Sequence, residues 1–488
     1  MTNRSTLIFD TLAVDRSLEL PLHRQLYELL RSYILGGRLA AGSSLPATRS
    51  LATHLGVGRN TVVAAYEQLL AEGYLEAGPG SGTWVAPMLQ RAAEQRGRAA
   101  APAAPRISRR GTVLASRPQP ARQPSTINLH PGFPDTASFP FAGWARLLAR
   151  NAQRRTADLF DYYRFAGHPA LREAIADYLR VARGVDCSPE QIVVVTGAQA
   201  GLDLVARIVT DEGDVAWMEE PGYLGARSAL LGSGARLAPL RCHRQGWGLA
   251  DAGLPPPRLI YVTPSCQWPL GTIMRMEERL QLLEIAERHD ALIIEDDYDG
   301  EYRFRGRPAP AMQGLDHAGR VIYIGTFGKT LFQSLRLGFL VVPTALSDIV
   351  NRAVSVTGQF APLLLQVTLA DFIRQGHFAS HLKRMRRLYA RRQERFVELC
   401  RQQLGPWMTV DANDSGIQLL GRFTRPLDDQ AVAAAALAQG VDVQPVSINY
   451  HHDVPEHGLL LGYAGLDERQ TVAAIAALQA AFRSLDAA

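Results

Sequence analysis

Lysine is nearly absent from this sequence of 488 residues: of its 52 basic residues only Lys329 and Lys383 are lysines, and the others are arginines. An arginine-rich codon bias explains the composition as a whole. Arginine can replace a surface lysine, but it cannot form an imine. Each retained lysine is therefore a candidate for covalent chemistry.

Cysteine is also scarce, and its positions lie far apart with no CxxC pair: Cys187, Cys242, Cys266 and Cys400. This spacing argues against a zinc site and a disulfide framework, and it predicts reduced thiols. No apolar run approaches the roughly 20 residues that span a bilayer. The first residues, MTNRSTLIFD, lack the pattern of a secretory signal. We therefore expect no membrane segment and a cytoplasmic location.

The length predicts more than one domain, because a single hydrophobic core usually stops growing at about 250–300 residues. Residues 87–126 are rich in Arg, Ala, Pro and Gln and contain one acidic residue, Glu94. Such a composition cannot bury enough apolar surface to offset its chain entropy, so we predict a flexible linker there. The linker would separate a small domain at 1–86 from a large domain at 127–488.

The small domain carries three helix patterns. Apolar residues recur at helical spacing between 22 and 34, which predicts one amphipathic helix. A second helix is expected from Pro46 until Gly56 breaks it, and a third from Arg59 onward. Two short helices around a glycine-containing turn are typical of a helix-turn-helix.

A glycine-rich turn at 78–82 follows, with apolar segments at 74–76 and 83–85 on either side. This pattern predicts a hairpin wing. A plain pair of helices occurs in many small domains, but the ordered set of helix, helix-turn-helix and hairpin favours DNA binding. The net charge of +5 is compatible with that function and does not establish it.

Residues 21–85 closely resemble the winged helix-turn-helix of GntR-type regulators, on the segments LPATRSLATHLGVGRNTVVAAYEQLLAEGYL and GSGTWV. The resemblance implies that the third helix enters the major groove by its N-terminus. Gly58 stands where the family usually has serine, so one potential phosphate-binding hydroxyl is missing. The linker arginines either stay solvated or contact DNA phosphates nonspecifically. The residues expected at DNA are Arg49, Arg59, Asn60 and Thr61.

In the large domain, short β-branched segments alternate with longer amphipathic stretches. This alternation predicts the α/β class, with a mainly parallel sheet, helices on both faces, and ligands bound beyond the carboxyl ends of the strands. The predicted strands are 192–195, 215–218, 259–262, 292–295, 321–325 and 337–341.

Two motifs fall at predicted strand ends. Thr196-Gly197-Ala198-Gln199 opens a helix whose N-terminus is suited to phosphate, although such turns are common. Glu295-Asp296-Asp297-Tyr298 places three adjacent carboxylates together, and these repel one another unless some meet a cation. A metal cluster is one interpretation, but no histidine at ligand spacing accompanies them. An aspartate facing a protonated pyridine nitrogen, with a tyrosine for the ring hydroxyl, explains the arrangement better.

A third motif, Gly325-Thr326-Phe327-Gly328-Lys329-Thr330, follows another strand, with Arg336 seven residues beyond the lysine. Desolvation beside a buried strand can lower the pKa of a lysine and prepare it for Schiff-base chemistry. The alternative is a lysine that only extends to the surface. Lys383, within HLKRMRR, is expected on a solvated helix face.

Together these motifs resemble the fold-type-I aminotransferases over nearly all of 128–485. The resemblance implies pyridoxal 5'-phosphate (PLP) as the cofactor, with Lys329 forming the internal aldimine and Asp296 pairing with the pyridinium nitrogen. It further implies that Tyr298 hydrogen-bonds the ring oxygen and that Tyr223 stacks on the ring. The residues implied for the phosphate are Ala198, Gln199, Thr326, Arg336 and, across a dimer interface, Tyr162.

A winged helix-turn-helix, a linker and such a domain in one chain resemble the MocR/GabR family of regulators. The family implies a head-to-tail homodimer whose DNA affinity responds to PLP, or to an amino compound that forms an aldimine with it. In TPSCQWPLGTIM, Trp268 stands at the aminotransferase asparagine and Cys266 at the family's usual histidine. In LLLGYAGL, Leu460 replaces the arginine that binds the substrate carboxylate. A sensing role is therefore expected, and the alternative is a working aminotransferase that also binds DNA.

Overall fold

The computed structural model describes residues 9, 12–78, 82–87, 106–115, 126–154, 159, 161, 164–249, 253–306 and 310–486. The chain forms two compact units, Met1–Arg106 and Ile107–Ala488. No helix in this described part is both long and apolar enough to cross a membrane.

The first unit consists of three helices and a small antiparallel sheet in the order β1-β3-β2. Gly56 ends the second helix in a left-handed conformation (φ 63°), which a glycine adopts without steric cost. The predicted helix-turn-helix and hairpin are confirmed. The elements are α1 Leu22–Leu35, β1 Ser44–Leu45, α2 Thr48–Leu55, α3 Arg59–Ala71, β2 Leu75–Gly78 and β3 Gly82–Val85.

A short helix, α4 (Arg109–Ala115), lies within the segment for which a flexible linker was predicted. Its Leu114 lies against Gly232, and Arg110 pairs with Glu212 at 3.1 Å. The second unit therefore begins about twenty residues earlier than the composition indicated. Residues 88–105 and 116–125 of the predicted linker lie outside the described residues.

The second unit contains the remaining helices and strands. Its helices are α5 Phe141–Gln153, α6 Pro169–Arg183, α7 Ala198–Val209, α8 Leu224–Ser233, α9 Met276–Arg288, α10 Ser347–Thr357, α11 Leu363–Arg374, α12 His377–Leu404, α13 Asp429–Ala438 and α14 Glu468–Asp486. Its strands are β4 Ile127–Asn128, β5 Ile192–Val195, β6 Val215–Glu220, β7 Arg236–His243, β8 Gly246–Trp247, β9 Leu259–Val262, β10 Leu292–Asp296, β11 Val321–Thr326, β12 Gly338–Val341, β13 Met408–Val410, β14 Gln418–Phe423, β15 Val441–Asp442, β16 Gln444–Pro445 and β17 Gly458–Gly462.

An eight-stranded sheet in the order β5-β12-β11-β10-β9-β6-β7-β8 forms the centre of this unit. Strands β11, β10, β9, β6 and β7 run parallel to one another, whereas β12 runs antiparallel to both β11 and β5. The predicted mainly parallel sheet is confirmed, and all six predicted strands are present. Strands β7 and β8 were missed, because arginines and a proline interrupt the apolar pattern of β7 and because β8 has only two residues.

A second, antiparallel sheet, β13-β14-β17-β16, lies in the C-terminal part of this unit. Leu460 of β17 pairs with Leu420 on one side and with Gln444 on the other. Between β5 and β12 the backbones come close: a Cβ atom on Gly338 would lie 2.9–3.0 Å from backbone atoms of Gly197 and Ala198. The glycine at 338 thus allows the turn that opens α7 to sit beside β12.

Candidate functional site

A cavity of about 850 Å³ lies in the second unit, where β5, β10 and β11 reach their carboxyl ends. It is lined by eight of the nine residues that the sequence predicted at the cofactor: Ala198, Gln199, Tyr223, Asp296, Tyr298, Thr326, Lys329 and Arg336. The ninth, Tyr162, lies outside the described residues. Three motifs that are separate in the sequence therefore meet in one place.

Asp296 is the last residue of β10 and is buried. Its Oδ2 accepts a hydrogen bond of 2.9 Å from the Tyr261 hydroxyl, and its Oδ1 is buried without a partner among the described residues. Burial raises the pKa of Asp296 to about 6, although the Tyr261 hydroxyl and the nearby Lys329 charge both oppose this rise. The carboxylate is thus available to one further donor.

The neighbouring carboxylates have partners of their own. Arg183 donates to Oδ2 of Asp297 at 2.6 Å, and the Tyr323 hydroxyl donates to the same oxygen at 2.6 Å. Burial opposes ionisation of Asp297, but these two groups hold its pKa below the ordinary value. Glu295 accepts from the amides of Met312 and Gln313. The acidic motif is thus paired with a cation, Arg183, at Asp297, as expected from the repulsion between adjacent carboxylates.

These carboxylates do not converge on a common metal position in the described part of the chain. The group whose ligand atoms do converge there is Asp428, Asp429 and His457. Both Asp429 oxygens already accept hydrogen bonds, Oδ1 from the Ser447 hydroxyl and Oδ2 from the Ser447 amide. Asp296 and Asp297 each keep one buried oxygen without a partner among the described residues, but Asp297 is paired with Arg183, and of these two carboxylates Asp296 is the one that lines the cavity.

Lys329 is half-buried, and its Nζ lies 3.7 Å from the ring centroid of Tyr298 and 5.5 Å from that of Trp268. Gly132 approaches the same side chain so closely that a Cβ there would be 3.0 Å from Lys329 Cε. Sequence reasoning missed Gly132, whose only signal is a glycine shortly after a proline in HPGFP. Lys383 is exposed on α12, as predicted.

Aromatic side chains form one wall of the cavity. Trp268 makes edge-to-face contacts with Tyr223 and Tyr298, each with ring centroids 5.8 Å apart. Its Nε1 donates to Oδ1 of Asn449 at 3.0 Å, which fixes the orientation of the indole. The Tyr298 hydroxyl accepts from Gln418 at 3.0 Å. Asn449 and Gln418 are distant in sequence from their partners, and nothing in their local sequence indicated these contacts.

The other end of the cavity has the chemistry of an anion site. Gly197 (φ 101°) precedes α7, and Ala198 and Gln199 of the first turn line the cavity. The first amides of a helix lack intrahelical acceptors and lie at the positive end of its dipole. The Arg336 guanidinium carbon would lie 3.9 Å from a Cβ on Gly197, so a cation flanks the same turn. Thr326 adds a hydroxyl, whose oxygen accepts from the Gly328 amide at 3.1 Å.

Leu460 is fully buried in an apolar cluster with Trp268 and Tyr298. Cys266 belongs to the same cluster, and burial raises the pKa of its thiol to about 12. The strand position at which the family resemblance places the carboxylate-binding arginine of aminotransferases is therefore part of a hydrophobic cluster.

In the first unit, the predicted DNA-contacting residues lie on two helices. Arg59 and Asn60 are exposed and Thr61 is half-buried in the first turn of α3, while Arg49 is exposed on α2. Gly58 is the N-cap of α3 and offers no side-chain acceptor to the first amides. The opposite face of α3 is buried through Val62, Ala65, Tyr66 and Leu69.

Both units match known families. Residues 22–85 match the family described as bacterial regulatory proteins, gntR family, and residues 124–478 match aminotransferase class I and II. The chain resembles the kynurenine aminotransferase of Pyrococcus horikoshii with a TM-score of 0.68 at 23% identity, over 78% of this chain and 96% of that one. It resembles the α-aminoadipate aminotransferase LysN of Thermus thermophilus equally well, with a TM-score of 0.68 at 24% identity over the same shares of both chains. At these identities the likeness shows the fold.

Relatives that match over nearly their whole length carry both units. The chain is 56% identical to the probable rhizopine catabolism regulatory protein MocR of Rhizobium meliloti, over 97% of this chain and 96% of the relative. It is 32% identical to the pyridoxine biosynthesis regulator PdxR of Corynebacterium glutamicum, over 91% and 92%. The chain therefore belongs to the MocR family of transcription regulators, in which a gntR-type DNA-binding unit precedes an aminotransferase-like domain.

Proposed function

We propose that this protein is a PLP-dependent transcription regulator of the cytoplasm. Its first unit binds double-stranded operator DNA, and its second unit senses PLP itself or an amine that reacts with it. The aminotransferase-like domain serves as a sensor rather than as an enzyme. The observation that carries the proposal is the cavity lined by Lys329, Asp296 and Arg336 together with the other predicted cofactor residues.

The residues present fit the cofactor. The partnerless Oδ1 of Asp296 suits a protonated ring nitrogen, and Tyr298 suits the ring hydroxyl. Tyr223 supplies a face for stacking. The phosphate is assigned to the first turn of α7 through Ala198 and Gln199, with Thr326 and Arg336, and Tyr162 is assigned to it on the family resemblance alone.

When bound, PLP supplies an aldehyde that condenses reversibly with primary amines, and a ring that withdraws electrons. Lys329 would hold the cofactor covalently, and Asp296 would pair with the protonated ring nitrogen. The Lys329 amine, when free, would accept or return a proton at Nζ. Trp268, held in its orientation by Asn449, would contribute an apolar wall to the site.

Regulation requires that the bound amine favour one arrangement of the protein over another, because a ligand that binds both arrangements equally well does not change their relative populations. The proposed assembly is a head-to-tail homodimer, as the family resemblance implies. An amine that changes how the cavity is filled would then change the spacing of the two DNA-binding units.

An active aminotransferase that also binds DNA is the second candidate, favoured by the fold of the structural neighbours. Leu460 argues against it, because a buried leucine cannot pair with a substrate carboxylate. The regulator is therefore the better-supported function.

Borohydride reduction of the purified full-length protein, followed by peptide mapping, tests the proposal. The protein should be yellow, and reduction should bleach the colour as the cofactor becomes fixed at Lys329. Lys329→Ala should abolish attachment, whereas the control Lys383→Ala should leave it unchanged. Attachment at Lys383, or a colourless protein after incubation with PLP, would contradict the proposed site.

A further inference from the structure

Lys329 lies in a turn, so neither a helix nor a strand holds its backbone. The turn follows β11 and covers residues 327–331, and the Leu331 amide closes it by donating to the Phe327 carbonyl at 2.9 Å. Reactive groups on loops are placed less precisely than groups on helices or strands unless neighbouring side chains hold them. The carbonyls of Lys329 and Thr330 therefore need partners from outside the turn.

Two buried side chains supply these partners. The Tyr302 hydroxyl lies 3.2 Å from the Lys329 carbonyl oxygen and 3.4 Å from that of Thr330. Nε2 of His381 lies 2.9 Å from the same Thr330 oxygen. Tyr302 follows the acidic motif and His381 belongs to α12, and both are buried. The lysine turn is thus joined to two other parts of the second unit.

The direction of the His381 hydrogen bond is set by Arg384. One guanidinium nitrogen of Arg384 lies 3.1 Å from Nδ1 of His381, and a guanidinium can only donate. Nδ1 therefore accepts, and the ring proton is on Nε2, which donates to Thr330. Burial lowers the pKa of His381 to about 4, although the hydrogen bond to Thr330 opposes this change. The ring is therefore neutral near pH 7.

The second support of the turn also depends on α12. The ring of Tyr389 makes an edge-to-face contact with Tyr302, with centroids 5.1 Å apart. Tyr389 lies about two helical turns beyond His381, and its hydroxyl accepts from the Asp135 amide at 2.8 Å. One helix of 28 residues thus carries His381 and also positions Tyr302.

We propose that His381 is a positioning residue for Lys329. With its tautomer set by Arg384, it fixes the carbonyl of Thr330 and thereby the direction from which Nζ meets the cofactor aldehyde. Among the described residues His381 does not line the cavity, so it acts through the lysine turn and does not touch the cofactor. The inference rests on the proposed function, in which Lys329 holds PLP.

Two cofactor forms test the inference on the full-length protein: PLP, which can bond to Lys329, and pyridoxamine 5'-phosphate, which fits the same cavity and cannot. His381→Leu should weaken the affinity for PLP by about three- to tenfold, the effect of one lost hydrogen bond, and leave the affinity for pyridoxamine 5'-phosphate unchanged. His381→Gln should restore PLP binding, because its amide nitrogen can donate in place of Nε2. The control His377→Leu, which changes an exposed histidine one turn earlier on α12, should change neither affinity.

Arg384→Met extends the test to an exposed side chain, in case His381→Leu fails to fold. It removes the donor to Nδ1 and should weaken PLP binding alone, by less than His381→Leu does. Arg387→Met, which changes another exposed arginine of α12, is its control. Equal losses for both cofactor forms, or unchanged PLP affinity in His381→Leu and Arg384→Met, would overturn the inference. A wild-type protein that binds no PLP would instead contradict the proposed function.

Discussion

The Tyr261 hydroxyl donates a hydrogen bond of 2.9 Å to one oxygen of Asp296, and the other oxygen of that carboxylate is buried without a partner in the described part of the chain. Tyr261 lies on β9 and Asp296 ends the adjacent parallel strand β10. The two strands thus orient a carboxylate that is only half satisfied. A protonated ring nitrogen would supply the missing donor, and that need makes Asp296 the most testable residue of the cavity.

Asp296→Asn should stabilise the cofactor-free protein above pH 6 and weaken its affinity for PLP. Burial raises the pKa of Asp296 to about 6, whereas an unfolded chain ionises aspartate near pH ~3.9. The folded protein therefore binds an extra proton between these values, and its stability falls as the pH rises through that window. Above pH 6 the ionised Asp296 lowers the free energy of unfolding by the full amount, about 3 kcal/mol. The neutral side-chain amide of the Asp296→Asn variant avoids this loss.

Denaturant unfolding of the apoproteins at pH 4 and pH 8 measures this effect. The Asp296→Asn apoprotein should have a higher free energy of unfolding than the wild type at pH 8 and no such difference near pH 4. The control Asp297→Asn should have the opposite sign at pH 8, because it leaves the buried Arg183 without its partner, a change that typically costs about 3–5 kcal/mol. The same change of stability with pH in both variants would contradict the raised pKa of Asp296.

Gly58→Ser and Gly56→Ser should have opposite effects although they lie two residues apart. Gly58 is an N-cap with φ −65°, and a Cβ there meets only Thr61 Oγ1 at 3.8 Å. A serine should add a capping hydrogen bond and stabilise α3 by a few tenths of a kcal/mol. Gly56 has φ 63°, so a serine there should cost about 1 kcal/mol.

Hydrogen exchange of the α2 and α3 amides in the full-length chain checks both changes. Gly58→Ser should also raise operator affinity slightly without changing the slope against salt concentration, because a hydroxyl adds no charge. A loss of protection in both variants would mean that Gly58 is not free to accept a side chain.

Arg59→Ala should weaken operator binding by on the order of 1–3 kcal/mol if the guanidinium contacts a guanine. Arg59 is exposed in the first turn of α3, with the buried face of that helix on the opposite side. A lowered salt slope would identify a phosphate contact, and an unchanged slope a base contact. Arg24→Ala, which removes an arginine paired with Glu28 on α1, is the control. Wild-type affinity in Arg59→Ala would refute this placement of the recognition helix.

The sequence predicted most of the described residues assigned to the cofactor through motifs at the carboxyl ends of strands. Parallel strands end at the same edge of a sheet, so Asp296 and Lys329 meet there although they belong to different motifs. Gly132, Tyr261 and Asn449 could not be predicted in this way. Gly132 lies outside the central sheet, Tyr261 acts from the middle of a strand, and Asn449 reaches Trp268 from a short segment before β17. Such contacts depend on tertiary packing, which leaves no periodic signal.

Predictions from amino-acid composition were less accurate than predictions from hydrophobic periodicity. The segment around Arg109 is rich in arginine and proline, and these residues hid a seven-residue helix whose Leu114 lies against Gly232 of α8. The acidic motif also extended further than expected, because Asp299 and Glu301 are buried beside it. Burial raises the pKa of both groups, so additional acids at this point need not imply a metal.

Transamination of common α-amino acids should be very slow, even where the amine reacts with the cofactor. Proton transfer needs a second anchor that holds the Cα–H bond across the ring plane. Leu460 is buried in the apolar cluster with Trp268 and Tyr298, and it offers no charge to a carboxylate. Keto-acid production over a panel of amino acids is the measurement, with absorption spectra recorded in parallel. Spectral change without turnover would support an effector that is bound and sensed, whereas turnover near ordinary enzyme values of about 1–10³ per second would establish the aminotransferase instead.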